Sequence, residues 1–390
     1  MDQLENEIEN KVRKSSSYGA ATSGNLSEME RKYTISLRTL LALIVLFLIN
    51  LRFFLASILD VSTTILSWGI LLLTFTLFTK KDFSLLNLIC FLFYLAAFFY
   101  TPYAKDVLIM IVSIIAFRHL PIRRFAFINL LQCLFLLFII YIIVENNLLV
   151  EEEMGKSFDS TFVSRDLGFG NPNALSAFVF YLLADFYIIF HRKPCFFCMV
   201  FIPVSIGCFL YTGSRTFLIA ETFLLLIYFF RSYRLVVNKW SLLGLLITIL
   251  ILIFYFSFNY DAVVDAILSH RLSIYGYVFQ NMSLKNYLLG LDVSVLKDTP
   301  MDNAYITLIV YGGVFYLLLF VFLLVRSALI HFDRIKPYFP LICAILFAGI
   351  GESLFVAFST ANALLIWLLL LGENNNKKVI SDVDSHNSCI

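Results

Sequence analysis

Three arginines carry the first chemical signal in this sequence, because of what stands beside them. Arg215 lies in Tyr211-Thr212-Gly213-Ser214-Arg215-Thr216, at the start of an apolar run. The hydroxyls of Thr212, Ser214 and Thr216 and the positive end of a helix dipole point the same way there, which is the chemistry of an anion site. A guanidinium at the edge of hydrocarbon is otherwise expensive unless it snorkels or is paired. Arg271 lies in His270-Arg271-Leu272-Ser273-Ile274-Tyr275. A near-neutral imidazole beside an always-charged guanidinium fits proton transfer next to an anionic group, although the same pair also reads as an ordinary solvated loop. Arg165 precedes Gly168-Phe169-Gly170-Asn171-Pro172-Asn173, where the glycines leave backbone N–H groups open to a ligand. Asn171 suits a helix N-cap, and Pro172 suits the first helical position. A fourth segment, Asp302-Asn303-Ala304-Tyr305, opens another run and leads to Tyr311-Gly312-Gly313; Asp302 is an adequate N-cap there.

The elements that position these residues are set by composition. Of the 390 residues, 60% are hydrophobic and 14% charged, against roughly 45–50% and about 25% in soluble domains. Aromatics reach 17%, with 42 Phe and 20 Tyr. So few charges cannot cover a globule in water, so most of the surface must face lipid. A soluble enzyme, a secreted disulfide scaffold and a disordered chain are all excluded. The cysteines give no framework: Cys195-Phe-Phe-Cys198 has redox or metal spacing, but its apolar flanks favour small helix residues.

A bilayer needs roughly 20 apolar residues per helical span. Apolar runs fall at 40–59, 61–79, 83–100, 105–117, 125–144, 173–190, 195–211, 214–230, 241–258, 304–325 and 339–371. The last would measure about 50 Å as one helix, too long for one crossing, and Gly351-Glu352 interrupts it. Two short spans there give about twelve in all, an all-α polytopic bundle. With the N-terminus inside, the outer side keeps only Arg52, Lys105, Lys156, Arg165, Arg215, Arg271, Lys285 and Lys297 of the 29 Lys and Arg. That follows the positive-inside rule and makes both termini cytoplasmic at a cell membrane. Residues 1–33 read as a disordered cytoplasmic tail, 34–371 as the membrane domain and 372–390 as a second cytoplasmic tail. Two long outer loops, 145–172 and 259–303, carry the segments above; long loops in a tight bundle usually carry function. Asp185, Glu221 and Glu352 read as buried ionisable groups within the bilayer, functional candidates by default.

Taken together, GFGNPN before one span, TGSRT opening another, R-x-x-x-Y in a long outer loop and DNAY followed by YGG resemble the O-antigen and capsular-polysaccharide polymerases (Wzy type) and the related O-antigen ligases. The resemblance covers roughly residues 165–315. It implies a glycosyltransferase acting on polyprenyl-pyrophosphate sugars. The growing glycan on undecaprenyl pyrophosphate is the donor, a hydroxyl of an incoming lipid-linked repeat the acceptor, and lipid pyrophosphate the leaving group. In such an enzyme Arg215 and Arg271 hold pyrophosphate, Asp302 orients the acceptor or contributes to the base, and His270 is our own choice of base. Arg165, Asn171, Asn173, Ser214, Tyr275 and Asn303 would bind substrate. Neither a metal nor another cofactor is implied, nor is a nucleic acid; membrane lipid, a chain-length regulator and a flippase are the implied company. A lipid-oligosaccharide flippase or other secondary transporter is the rival reading, and a ligase-like transferase stays open beside it.

Overall fold

The computed structural model describes residues 37–59, 61–79, 82, 85–99, 101, 103–146, 153–156, 159–259, 262, 265, 271–291, 302–356 and 361–371. The chain divides into a short unit, Met1–Ile44, and a main unit, Val45–Ile390. Of the short unit only the first turns of a helix are described. The N-terminal and C-terminal tails lie outside the described residues, as does His270.

The main unit is built from helices that follow the apolar runs. They are α1 (Leu37–Ser57), α2 (Thr64–Phe75), α3 (Leu85–Phe98), α4 (Tyr103–Phe117), α5 (Ile122–Glu145), α6 (Pro172–Phe190), α7 (Pro194–Thr212), α8 (Arg215–Phe229), α9 (Lys239–Phe258), α10 (Arg271–Asn281), α11 (Leu284–Leu289), α12 (Ala304–Ile330), α13 (Phe332–Ile335), α14 (Phe339–Ala348) and α15 (Leu364–Leu371). Six of them, α1, α5, α6, α7, α9 and α12, are long and apolar enough to cross a membrane. Helices α2, α3 and the stretch Ala361–Leu371 are apolar but shorter.

Capping side chains fix where several of these helices begin. Asn171 accepts from Asn173 N, Asn238 from Ser241 N, and Asn303 from both Tyr305 N and Ile306 N. Each satisfies backbone donors that a helix start leaves open. The α12 cap corrects the sequence reading, which gave that role to Asp302. Ser214 precedes α8 but makes no side-chain cap.

Burial separates two kinds of helix. In α4 every residue from Val107 to Phe117 is buried, so it is a central helix, apolar all round. Helices α5, α7 and α9 expose large apolar side chains such as Phe138 at 60%, Met199 at 72% and Ile251 at 61%. An apolar surface this extensive suits lipid rather than water.

The two long loops are partly regular. Residues 145–172 contain a hairpin, β1 (Glu153–Lys156) antiparallel to β2 (Asp159–Arg165), with Glu153 opposite Arg165 and a bulge between Gly155 and Lys156. This is a small departure from the all-α expectation. The second loop carries α10 and α11. Helix α11 docks where α12 kinks at Gly313 (φ 73°); a Cβ there would lie 2.1 Å from the Leu288 carbonyl oxygen, so only glycine fits this turn of the Tyr311-Gly312-Gly313 segment.

The run 339–371 breaks as its length requires. Helix α14 stops at Ala348, and 349–356 are non-helical before a single 3-10 turn at Ala361–Ala363 leads into α15. Phe355 is fully buried in this break, stacked on Phe320 at 4.7 Å, while Trp367 stacks on Tyr316 at 5.4 Å. These rings anchor the irregular segment to α12 and α15.

Candidate functional site around the broken segment

Irregular backbone buried in a membrane protein must find hydrogen-bond donors outside itself. Segment 349–356 finds them on five other elements. Gly349 O accepts from Ala304 N (2.8 Å), Ile350 O from Asn303 Nδ2 (2.8 Å), and Gly351 O from Arg271 Nη1 (2.9 Å). Further along, Leu354 O accepts from the Tyr181 hydroxyl, Phe355 O from Trp367 Nε1 (3.0 Å), and Val356 O from the Tyr316 hydroxyl (3.3 Å). The segment is thereby held by α6, α10, α12, α15 and the loop entering α12.

This clamp brings the separate sequence segments together. Arg271, at the first position of α10, also pairs with Asp302 (Nη2 to Oδ2, 2.8 Å). Gly351 packs so closely on Thr216 that a Cβ on the glycine would lie 2.9 Å from Thr216 Cγ2. Thr216 is in the first turn of α8, directly after Arg215. Helix α7, which ends just before α8, is tied to α6 through Thr212, whose hydroxyl accepts from Ser176 (2.7 Å) and donates to Cys208 O (2.8 Å). Below the start of α6, Phe169 is buried and packs at 5.5 Å on Phe178, which stacks on Phe53 at 6.1 Å. Phe169 thus anchors the turn that presents Asn171 and Asn173.

A cleft of about 240 Å³ opens among these helix starts. Asn171, Asn173, Asp302, Glu352 and Ser353 supply its polar wall, and Phe53, Phe178 and Tyr181 its apolar one. A sugar offers hydroxyls and a lipid tail offers hydrocarbon, so a wall of each kind suits a glycolipid better than a wholly polar solute.

Glu352 lies in the break between α14 and α15 and shares the cleft with Asn171, the cap of α6. Its Oε1 is buried and has no hydrogen-bond partner among the described residues. Burial pushes its carboxyl up to about 8; the Asp302 charge acts in the same direction and Arg271 against it. A carboxyl with this affinity for protons can give or take one near neutral pH.

The remaining sequence-expected residues fall as follows. Tyr275 is 2% exposed, one helical turn after Arg271, so it supports the site from below rather than facing the cleft. Burial raises its phenol, with Arg271 lowering it and Asp302 and Glu352 raising it further. Ser214 is buried, and its Oγ has no hydrogen-bond partner among the described residues. Arg215 is exposed at the start of α8, and Arg165 is exposed at the end of β2. Segments GFGNPN, TGSRT, R-x-x-x-Y and DNAY therefore meet around 349–356, but of the expected site residues only Asn171, Asn173 and Asp302 line the cleft; Arg165, Arg215, Arg271, Ser214, Tyr275 and Asn303 do not. Among the described residues no group of three or more His, Cys, Asp or Glu is placed to hold a metal ion.

These features define an all-α chain with six helices capable of crossing a membrane and a polar cleft at the start of several of them. Comparison with protein-family models, curated proteins and solved structures gives no match.

Proposed function

We propose that this protein is a polysaccharide polymerase of the Wzy type. It would be a bundle of about twelve spans with both termini cytoplasmic and its site facing outward. It joins oligosaccharide repeats carried on undecaprenyl pyrophosphate. Arg271 and Arg215 hold the donor pyrophosphate, and guanidinium groups stabilise the charge that builds as it leaves. Asn171 and Asn173 position sugar hydroxyls at the cleft, and Asn303, buried behind it, holds the Ile350 carbonyl. Asp302 orients Arg271, and Glu352 takes the proton of the attacking acceptor hydroxyl, the role the sequence alone gave to His270. The acceptor oxygen bonds to the donor's anomeric carbon as the bond to the pyrophosphate oxygen breaks.

The observation that carries this reading is the convergence of four distant segments on one broken stretch, at a cleft lined by Glu352, whose buried Oε1 has no hydrogen-bond partner among the described residues. Reconstitution with a purified lipid-linked repeat tests it: chain extension with released lipid pyrophosphate is expected, and its absence from active membranes overturns it.

One observation favours a transporter instead. Asn50, Asn129, Asp185 and Asn362 form a fully buried polar network, and Asp185 Oδ1 has no partner among the described residues. Discontinuous helices beside buried carboxylates are how many transporters bind their cargo. In a deletion strain, single repeats accumulating outside the membrane mean polymerase, and inside mean flippase.

A further inference from the structure

The other end of α12 carries a second cavity. Beyond its break at Gly313, the helix runs on through Leu319 to Arg326 toward its C-terminal end. At that far end a groove of about 210 Å³ lies between α3, α4, α12 and α15. Its walls are hydrocarbon, among them Ile111, Ile115, Phe322 and Leu323, and Arg118 and Arg326 stand in its lining.

The two guanidinium groups are differently held. Arg118 follows the last residue of α4, and its Nη2 lies 2.8 Å from Asp82 Oδ1. That carboxylate is also engaged by His119 Nε2 (2.7 Å), Thr79 N (2.6 Å) and Thr79 Oγ1 (2.7 Å). Asp82 is thus occupied on both oxygens and fixes Arg118 in place. Arg326 is exposed on α12. Arg334 adds positive charge nearby, its Nη2 reaching the carbonyl oxygens that end α15 at Leu369 and Leu370.

We propose that this groove binds an anionic phospholipid of the leaflet facing it, with the phosphate between Arg118 and Arg326 and an acyl chain against Ile111, Ile115 and Phe322. A free phosphate would leave the apolar walls unfilled, and a zwitterionic lipid would bring the cation of its own head group against the two guanidinium groups. Only an amphiphile with a charged head satisfies both parts. The site is independent of the polymerase reading, because the groove and the cleft share no lining residue.

The test uses the full-length protein in detergent, with native mass spectrometry of retained lipid. Phosphatidylglycerol, phosphatidylcholine and a polyprenyl phosphate are offered at equal concentration. The unaltered protein is expected to retain phosphatidylglycerol preferentially. Arg326→Gln, at an exposed position, is expected to cut that preference about fivefold, the effect of one interfacial basic residue. Leu319→Trp, which fills the groove without touching a charge, is expected to lower retention of phosphatidylglycerol as well. Equal retention of the two lipids by the unaltered protein overturns the proposal. So does unchanged preference in both variants, or stronger retention of polyprenyl phosphate than of phosphatidylglycerol, which would give the groove to substrate.

Discussion

Arg271 and Asp302 meet at 2.8 Å across the gap between the start of α10 and the loop entering α12, while the other terminal nitrogen of the same guanidinium donates to Gly351 O at 2.9 Å. One side chain therefore joins three stretches of chain that are far apart in sequence. Arg carries five N–H donors in a rigid fork, so these two bonds leave donors for a phosphate oxygen. A half-exposed ion pair contributes about 1 kcal/mol or less to stability. Arg271→Ala should therefore leave the protein folded and present. In the polymerase reading it should abolish long polymer, with a rate loss of about 100-fold or more, and single lipid-linked repeats should persist. Arg271→Lys should not rescue it, because a point charge cannot bridge Asp302, Gly351 O and phosphate together. Arg215→Ala should give the same phenotype. Normal chain-length ladders from both alanine variants would refute the pyrophosphate assignment.

Glu352 gives a pH signature of two opposite signs. Its carboxyl is pushed up to about 8 by burial and by Asp302. As the base for the acceptor hydroxyl it works only when ionised, so polymerisation should rise with pH through a limb near 8. Glu352→Gln should lower the rate by roughly 10²–10⁴-fold and remove the limb. Stability runs the other way. The folded value lies above the ordinary 4.5, so the folded state holds the proton more tightly. That contribution is present in full below about 4.5 and is lost as pH rises through about 8. Glu352→Gln should consequently melt above the unaltered protein at pH 8.5 and match it at pH 4. A rate profile without a limb near 8, with unchanged activity in the variant, would remove Glu352 from the chemistry.

Gly351 tests whether the close approach of α8 matters. A methyl there would stand 2.9 Å from Thr216 Cγ2 and 3.3 Å from Thr216 Oγ1. Overpacking of this kind costs about 1–3 kcal/mol, and it would push the Arg215 end of α8 away from Arg271. Gly351→Ala should lower both the thermal midpoint and polymer yield. Thr216→Ser, which deletes the colliding methyl, should restore part of each when combined with it. Gly207 has nothing within 4 Å of such a Cβ, so Gly207→Ala should be neutral or mildly stabilising. Additive losses in the double variant would mean that the two residues do not press on each other.

Long apolar runs and good caps made the membrane-type helices readable from sequence alone. Asn171 and Pro172 start α6 where the sequence places them, because a local cap needs only its own neighbours. The break in 339–371 was readable because one helix of that length overruns a bilayer. At α12 the reading failed by one residue. Asp302 and Asn303 are both good caps, and Asn303 wins where its amide can also reach Ile350 O, a partner 47 residues away. The hairpin around Glu153 was missed because its strands are short and charged, without a clean alternation. The clamp on 349–356 left no local trace, since its donors come from Tyr181, Arg271, Asn303, Tyr316 and Trp367, each on a different stretch of chain.

Asp185 separates the enzyme from the transporter. Asn129 Nδ2 donates to its Oδ2 at 2.6 Å, Asn50 Nδ2 donates to Asn129 Oδ1 at 3.0 Å, and Ala361 N donates to Asn50 Oδ1 at 3.2 Å. This network ties α1, α5, α6 and the 3-10 turn before α15 at a depth where none of these side chains reaches water. If its role is to hold those helices in register, only hydrogen-bonding capacity matters. Asp185→Asn, which keeps an acceptor oxygen for Asn129, should then sustain normal polymer length and protein level. Asp185→Leu should destabilise by about 1–3 kcal/mol, because it leaves one hydrogen of the Asn129 amide without its acceptor in an apolar interior, Asn362 keeping the other. A carrier that couples transport to protons or cations needs the charge itself, so the carboxamide should stop it as completely as leucine does. Loss of function in Asp185→Asn, with protein level and melting unchanged and single repeats trapped on the inner side, would turn the interpretation from polymerase to flippase.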